Sequence, residues 1–377
     1  MRSYRYLVVG GGMTGDAACT GIRDADPEGS IGLVGEEQFP PYKRPPLTKG
    51  LWKGGDESKI WRNVEEHGAD LVLGRRIVSL DLDAHTAQDD TGEEYAYERL
   101  VLATGGSPRR LGGDDESYTY YRTLEDYRRV REQSDQGASF LVVGGGFIGS
   151  EIAAALRSQG RDVTMVFPEA GIGWRTFPPE LAHFVADYYR EQGVDVRAET
   201  SFESAEGFDA VVAGLGIVPR TELAEAVGLH VDDGIVVDAY GRVEGHDDVF
   251  AAGDVARFPS TALGKSMRVE HEDHANTHGR HVGANAAGAN EPYHHLPFFY
   301  SDIFDLGYEA VGDLDSRQDH VDLWLEPNRK GIVAYIDDEK RPRGFLLWNV
   351  WDKVEPASEL IRAAEPVDEG TLRGLAG

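Results

Sequence analysis

An α/β fold is predicted, with two parallel-sheet units and a C-terminal α+β domain built on an antiparallel sheet. Three observations carry it. Residues 4–18, YRYLVVGGGMTGDAA, join an apolar, β-branched run to a glycine turn and a helix-compatible segment. Residues 139–153, SFLVVGGGFIGSEIA, repeat that succession. From Pro297 onward the pattern changes to short strands linked by acidic turns such as Asp337-Asp338. The expected organisation is a first unit over 1–112, a second over 113–240, a return to the first over 241–296, and the C-terminal domain over 297–377.

In the first unit Gly10, Gly12 and Gly15 fit G-x-G-x-x-G, with Met13 and Thr14 inside the pattern. Each glycine answers a separate need: a tight turn, room for backbone to approach a pyrophosphate, and close helix–strand packing. The following helix offers amides and its positive dipole end to phosphates. Glu36, after a strand at 31–34, stands about 20 residues on, where an acid binds an adenosine ribose. Gly144, Gly146 and Gly149 repeat the motif around Phe147 and Ile148. Two Rossmann-like copies imply two dinucleotides, and hydride passing between them.

Residues 38–52, QFPPYKRPPLTKGLW, carry four prolines that stiffen the approach to a short helix. They deliver Lys43, Arg44 and Lys49, where a fixed cation could stabilise charge on a flavin ring. Short strands are expected at 71–73, 76–80 and 95–97, and a buried one at 100–103 that ends in Thr104-Gly105-Gly106. There, beyond Ala103, small residues let backbone approach a ligand. Thr123 and Asp126 form a capping-box start for a helix over 124–132.

In the second unit, helix 147–158 leads to strand 163–166. Phe167 holds the usual position of the ribose acid. Glu169 could accept from ribose hydroxyls, favouring NAD, whereas Arg175 could grip a 2′-phosphate; the balance favours NAD. Leu181, Phe184, Val185 and Tyr188 mark a helical apolar face, and strands are expected at 194–196 and 210–213, the latter running to Gly214-Leu215-Gly216. Residues 248–256 read as a strand ending on Gly253-Asp254, whose acid can bond sugar hydroxyls. Residues 269–286 read as mostly helical, with His271, His274, His278 and His281 on one face. A metal reading is set aside in favour of histidines on a solvated helix. Strands at 308–311, 321–325, 332–336 and 345–348 and a helix at 356–364 complete the chain, with Phe298, Phe299 and Tyr300 as core or as a wall beside a flat cofactor.

The chain has 377 residues and a formal net charge of −28, with the acids spread along its length. Such a surface disfavours nucleic acid and anionic membranes and fits adaptation to high salt, as in halophiles. Cys19 is the single cysteine, expected as a small buried apolar residue. No run is long enough for a membrane span, and the expected compartment is the cytoplasm.

GGGMTG, YKRPPLTK, LATGGSPR, GGGFIGSE, GLGIVP and FAAGDVA occur in an order that resembles the FAD-dependent pyridine-nucleotide oxidoreductase superfamily, glutathione-reductase-like in fold. FPEAGIGWR, VEHEDHA, YSDIFDLGYEAVG and FLLWNVWDKVEPASELI resemble its ferredoxin-reductase and apoptosis-inducing-factor branch. The resemblance implies FAD near Glu36, Arg44, Lys49, Thr104, Arg122 and Asp254. It implies NADH, with NADPH second, at Phe147, Ile148, Glu151, Glu169, Arg175 and Gly216. Glu151 matches a carboxylate that pairs with Lys49, and Glu270 and His271 would lie near the flavin and nicotinamide. Tyr300 departs from a typical Trp, and a regulatory insertion is missing between Leu325 and Gly331.

Hydride transfer needs alignment and exclusion of water more than side-chain acid–base chemistry. Lys49, Glu151 and His271 are the residues expected to matter most. A C-x-x-C or C-x4-C dithiol is absent, so electrons would pass from flavin to an external one-electron carrier such as ferredoxin, or to a quinone. A slow-turnover, NADH-binding redox sensor is the alternative. A monomer or a homodimer is expected.

Overall fold

A computed structural model describes residues 1–112 and 117–376. The chain forms two compact units, one of residues 1–43, 57–107 and 218–297, the other of residues 44–56, 108–217 and 298–377.

The first unit is built on a sheet in the order Asp70–Leu73, Ile31–Gly35, Arg2–Val9, Glu94–Leu102, with neighbouring strands parallel. Glu94–Leu102 is one strand where two short ones were expected. Its first half pairs antiparallel with Thr86–Asp89, an unforeseen strand, and its second half pairs parallel with Val249–Ala251. The polar Glu98-Arg99 between those halves hides the continuity, because each half answers to a different neighbour. Helices Met13–Ala25 and Glu272–Ala286 cover one face, burying Ala18, Ile22 and Val282 with Tyr6, Val8, Leu33, Val101 and Phe250.

The strand expected over 248–256 is broken: Val249–Ala251 gives way to a helical turn, Gly253–Val255, and a new strand, Ala256–Ser260. Residues 218–240, expected with the second nucleotide unit, pack with the first. Ala224, Leu229, Ile235 and Val237 share a core there with Leu7, Leu100 and Val249.

The second unit holds an all-parallel sheet in the order Asp195–Arg197, Val163–Val166, Phe140–Val143, Ala210–Ala213, Thr119–Tyr120. Helices Leu124–Asp135, Phe147–Ser158 and Pro179–Glu191 accompany it, the first opened by the expected Thr123–Asp126 capping box. The C-terminal antiparallel sheet runs Phe298–Ile303, Leu306–Gly312, Pro342–Trp348, Lys330–Ile336, Asp319–Glu326. Its first strand begins in the aromatic triplet that carried no strand expectation.

This sheet clusters with the parallel sheet because Phe177 packs edge-on against Tyr308 and Trp348, while the Tyr335 hydroxyl donates to the Thr176 carbonyl. The chain closes with two helices, Val354–Ala363 and Glu369–Ala376, where one was expected.

Candidate dinucleotide-binding sites

The two glycine turns have the same geometry. Gly10 has φ +124° and Gly144 φ +115°, a region that L side chains rarely adopt. A Cβ on Gly10 would lie 2.1 Å from the Ala103 carbonyl oxygen, and one on Gly144 would lie 2.4 Å from that of Gly214. Gly15 and Gly149 lie against the carbonyls of Gly10 and Gly144, at 1.9 and 2.0 Å for an added Cβ.

The middle glycines behave differently. Nothing lies within 4 Å of a Cβ added to Gly12 or Gly146, although each has an ordinary extended backbone. Packing therefore explains the outer two glycines of each turn and leaves the middle one unexplained. The open space there leaves room for a ligand to come close to the backbone. No side chain caps either helix, as a phosphate-binding N-terminus requires. Both turns fit a dinucleotide pyrophosphate.

Around the first turn, Met13 and Thr14 are buried. A Cβ on Gly253 would strike the Thr14 hydroxyl at 2.2 Å, so the Gly253-Asp254 turn packs directly on the first helix. Ala103, Thr104 and Gly105 follow strand Glu94–Leu102 on one side of Gly10, and Glu36 follows strand Ile31–Gly35 on the other. Glu36 accepts a hydrogen bond from Arg220 Nη1, and Glu270 accepts one from Arg268 at 2.6 Å.

His271 is the residue before helix Glu272–Ala286, and burial lowers its pKa to about 4 against the opposing pull of Asp254 and Asp273. His274 and His278 correct the expectation of solvated histidines: both are completely buried, stacked 4.6 Å apart beside Phe258 and Tyr293. The Gly253 N–H donates to His278 Nδ1 at 3.2 Å, and desolvation pushes the His278 pKa down to about 3. Among the described residues, no three His, Cys, Asp or Glu side chains are grouped to hold a metal ion.

In the second unit Phe147 packs on Phe299 at 5.1 Å, while Ile148, beside it, is exposed. Phe167, in the ribose-acid position, instead fills the space beside Gly145. Glu169 and Arg175, which offered alternative cofactor preferences, bond each other at 3.3 Å. Gly216 has open space around it and φ +79°.

The Glu151 carboxylate is almost fully buried and accepts three hydrogen bonds: Lys49 Nζ at 2.7 Å, Thr48 Oγ1 at 2.5 Å and Ser301 Oγ at 2.6 Å. Lys49 also lies over the Tyr300 ring, 5.2 Å from its centroid. Arg44 donates to the Arg122 carbonyl at 2.7 Å. Of the expected flavin-side residues, Arg44, Lys49, Arg122, Phe299 and Tyr300 thus belong to the second unit. The first unit holds Gly10 to Gly15, Glu36, Ala103 to Gly105, Gly253, Asp254, Glu270 and His271.

Residues 4–279 match the pyridine nucleotide-disulphide oxidoreductase family. The chain belongs to that family. Apoptosis-inducing factor 1, mitochondrial, from Dictyostelium discoideum is 29% identical over 98% of this chain and 80% of its own length. The ferredoxin–NAD(+) reductase component of the anthranilate 1,2-dioxygenase system from Burkholderia cepacia is 33% identical over 84% of each chain. Among solved structures, the covalent putidaredoxin reductase–putidaredoxin complex superposes with a TM-score of 0.90 at 28% identity, covering 99% of this chain and 96% of that one.

Membership implies FAD and NAD(P)H, and the two glycine turns fit them. The disulphide in the family name has no counterpart within this sequence. Cys19, its one cysteine, is buried in helix Met13–Ala25, and desolvation raises its thiol pKa. Among the described residues, no helix is long and apolar enough to cross a membrane.

Sequence reading missed Thr48, Ser301, Arg220 and Arg268. A hydroxyl or an arginine announces no chemistry until the fold supplies its partner, and Ser301 lies 150 residues from Glu151.

Proposed function

We propose that the chain is an FAD-dependent NAD(P)H oxidoreductase that prefers NADH and delivers electrons to a small one-electron carrier of the ferredoxin kind. The observation that carries this is the pair of glycine turns whose middle residue stands open, in a chain with a single buried cysteine. Bound FAD would supply the chemistry, taking a hydride and releasing electrons singly.

The chain's own part is to bind and orient. Gly12 and Glu36 would hold one dinucleotide by pyrophosphate and ribose, and Gly146 and Glu169 the other. Lys49, fixed by Glu151, would keep a positive charge in place where water is excluded, and Phe147 would gate the nicotinamide. Glu169 supports NADH twice, by accepting from ribose hydroxyls and by occupying Arg175. The reductase component from Burkholderia cepacia and the putidaredoxin reductase fold support a ferredoxin-like acceptor over a quinone.

The test is an acceptor screen with purified protein in high salt, with NADH and NADPH in parallel. Yellow protein that NADH reduces and an iron–sulfur carrier reoxidises is the expected result. Colourless protein that takes up no flavin refutes the proposal.

A further inference from the structure

Arg220 makes contacts that packing alone does not call for. Its backbone N–H donates to the Gly105 carbonyl at 2.9 Å, and its own carbonyl accepts from Thr104 Oγ1 at 2.8 Å. Its side chain then divides: Nε donates to Ser107 Oγ at 2.6 Å and Nη1 to Glu36 Oε2 at 2.5 Å. Residues 103–104 touch Gly10 on one side of the glycine turn, and Gly35, which precedes Glu36, touches Gly11 on the other. Arg220 therefore bridges the two segments that flank the turn.

We propose that Arg220 is a positioning residue for the adenosine end of the first dinucleotide, acting through Glu36. Glu36 is about half exposed and follows the end of its strand, so without a partner its side chain would sample many rotamers. Arg220 fixes one carboxylate oxygen and leaves Oε1 for a ribose hydroxyl. Ordering the acid beforehand removes that cost from the binding step. A planar guanidinium suits the task, since its fork reaches Ser107 and Glu36 together, whereas a lysine ammonium offers no such rigid span.

The inference rests on reading the first turn as the FAD site, and the experiment separates the two. FAD and FMN affinities are measured by flavin fluorescence on the full chain and on Arg220→Ala, Glu36→Ala and the double variant. FMN has no adenosine and serves as the internal control.

The expected result is an FAD dissociation constant raised roughly tenfold in Arg220→Ala, FMN binding unchanged, and a double variant no weaker than Glu36→Ala alone. Should Arg220→Ala fail to fold, Arg220→Lys replaces it and is expected to lose FAD affinity to a smaller extent. Unchanged or tighter FAD binding in the Arg220 variant, losses that add in the double variant, or a parallel loss of FMN overturns the inference. An unmutated chain that binds no FAD overturns the reading of the site itself.

Discussion

Lys49 and Glu151 form a pair in which neither charge is well hydrated, with side chains only 14% and 6% exposed. Removing one partner leaves the other charge desolvated, a loss of about 3 kcal/mol in comparable buried pairs. Lys49→Ala should therefore destabilise the second unit by about that amount, read from denaturant melts, and slow reduction of bound flavin by NADH in stopped flow. Unchanged reduction would remove Lys49 from the chemistry, whatever the stability. Glu169→Ala has a separate readout. Freed from its partner, Arg175 becomes available to a 2′-phosphate, so the kcat/KM ratio of NADH to NADPH should fall by roughly tenfold. An unaltered ratio would point to backbone contacts as the selector. The Lys49–Glu151 pairing was legible only through resemblance. Nothing in the spacing of residues 102 apart connects them, and the hydroxyls of Thr48 and Ser301 that complete the carboxylate's hydrogen bonds carry no sequence signal at all. The Glu169–Arg175 contact is the opposite case. Both residues were visible as rival determinants, six positions apart, but their pairing with each other depends on how the intervening loop turns back.

The glycine turns allow a cleaner separation of folding from binding. Gly146→Ala places a methyl in open space on ordinary backbone, so stability should stay within about 0.5 kcal/mol of the parent. NADH affinity should nevertheless fall at least tenfold, as measured by titration, because the methyl occupies ligand space. Gly144→Ala should behave oppositely, costing more than about 3 kcal/mol through positive φ and a backbone clash. If the two variants lost stability equally, the middle glycine would be structural and the ligand argument would fail. These elements were legible because apolar strand, glycine turn and helix impose a local code: the expected helix bounds of 147–158 are those observed. The histidine helix was misread because periodicity shows that residues share a face, not which side that face turns to. His274 and His278 lie inward, His274 stacked on Phe258 and His278 tilted against it, and Phe258 lies outside the helix. Their burial sets a pH dependence. The folded pKa values lie below the ordinary 6.5, so the unfolded chain binds more protons in between, and stability is lost as pH falls. From pH about 6.5 down toward its folded value of about 3, His278 should contribute up to about 1.4 kcal/mol per pH unit, and His274 acts in the same direction. His278→Gln should remove one proton from that slope, as read by melts across the range. A slope that does not change would mean that His278 is not the titrating group.

At the scale of the whole molecule the governing quantity is the net charge of −28, an excess of like charge whose self-repulsion opposes the compact state. The surface ion pairs do little to offset it. Arg190–Asp187 and Arg373–Glu369 each join neighbours on one helix, Arg341–Asp337 spans the turn between two strands, and local exposed pairs of that kind contribute about 0–1 kcal/mol each. Salt weakens both terms, but it weakens many long-range repulsions and few attractions, so the net effect of added salt should be stabilising. The buried pairs Lys49–Glu151 and Arg62–Asp16 are shielded from ions and should keep their strength. The thermal midpoint should then rise by roughly 5 °C or more between low salt and about 2 M KCl. The shape of the rise identifies its cause. Screening lengths shrink from about 10 Å at 0.1 M to about 3 Å at 1 M, so relief of repulsion should be largely complete by roughly 0.5 M. A midpoint that climbs steadily to multimolar salt would reflect exclusion of ions from the surface instead. A midpoint that falls on adding salt would mean that attractive pairs outweigh repulsion, and the reading of the acidic surface as an adaptation to high salt would be lost.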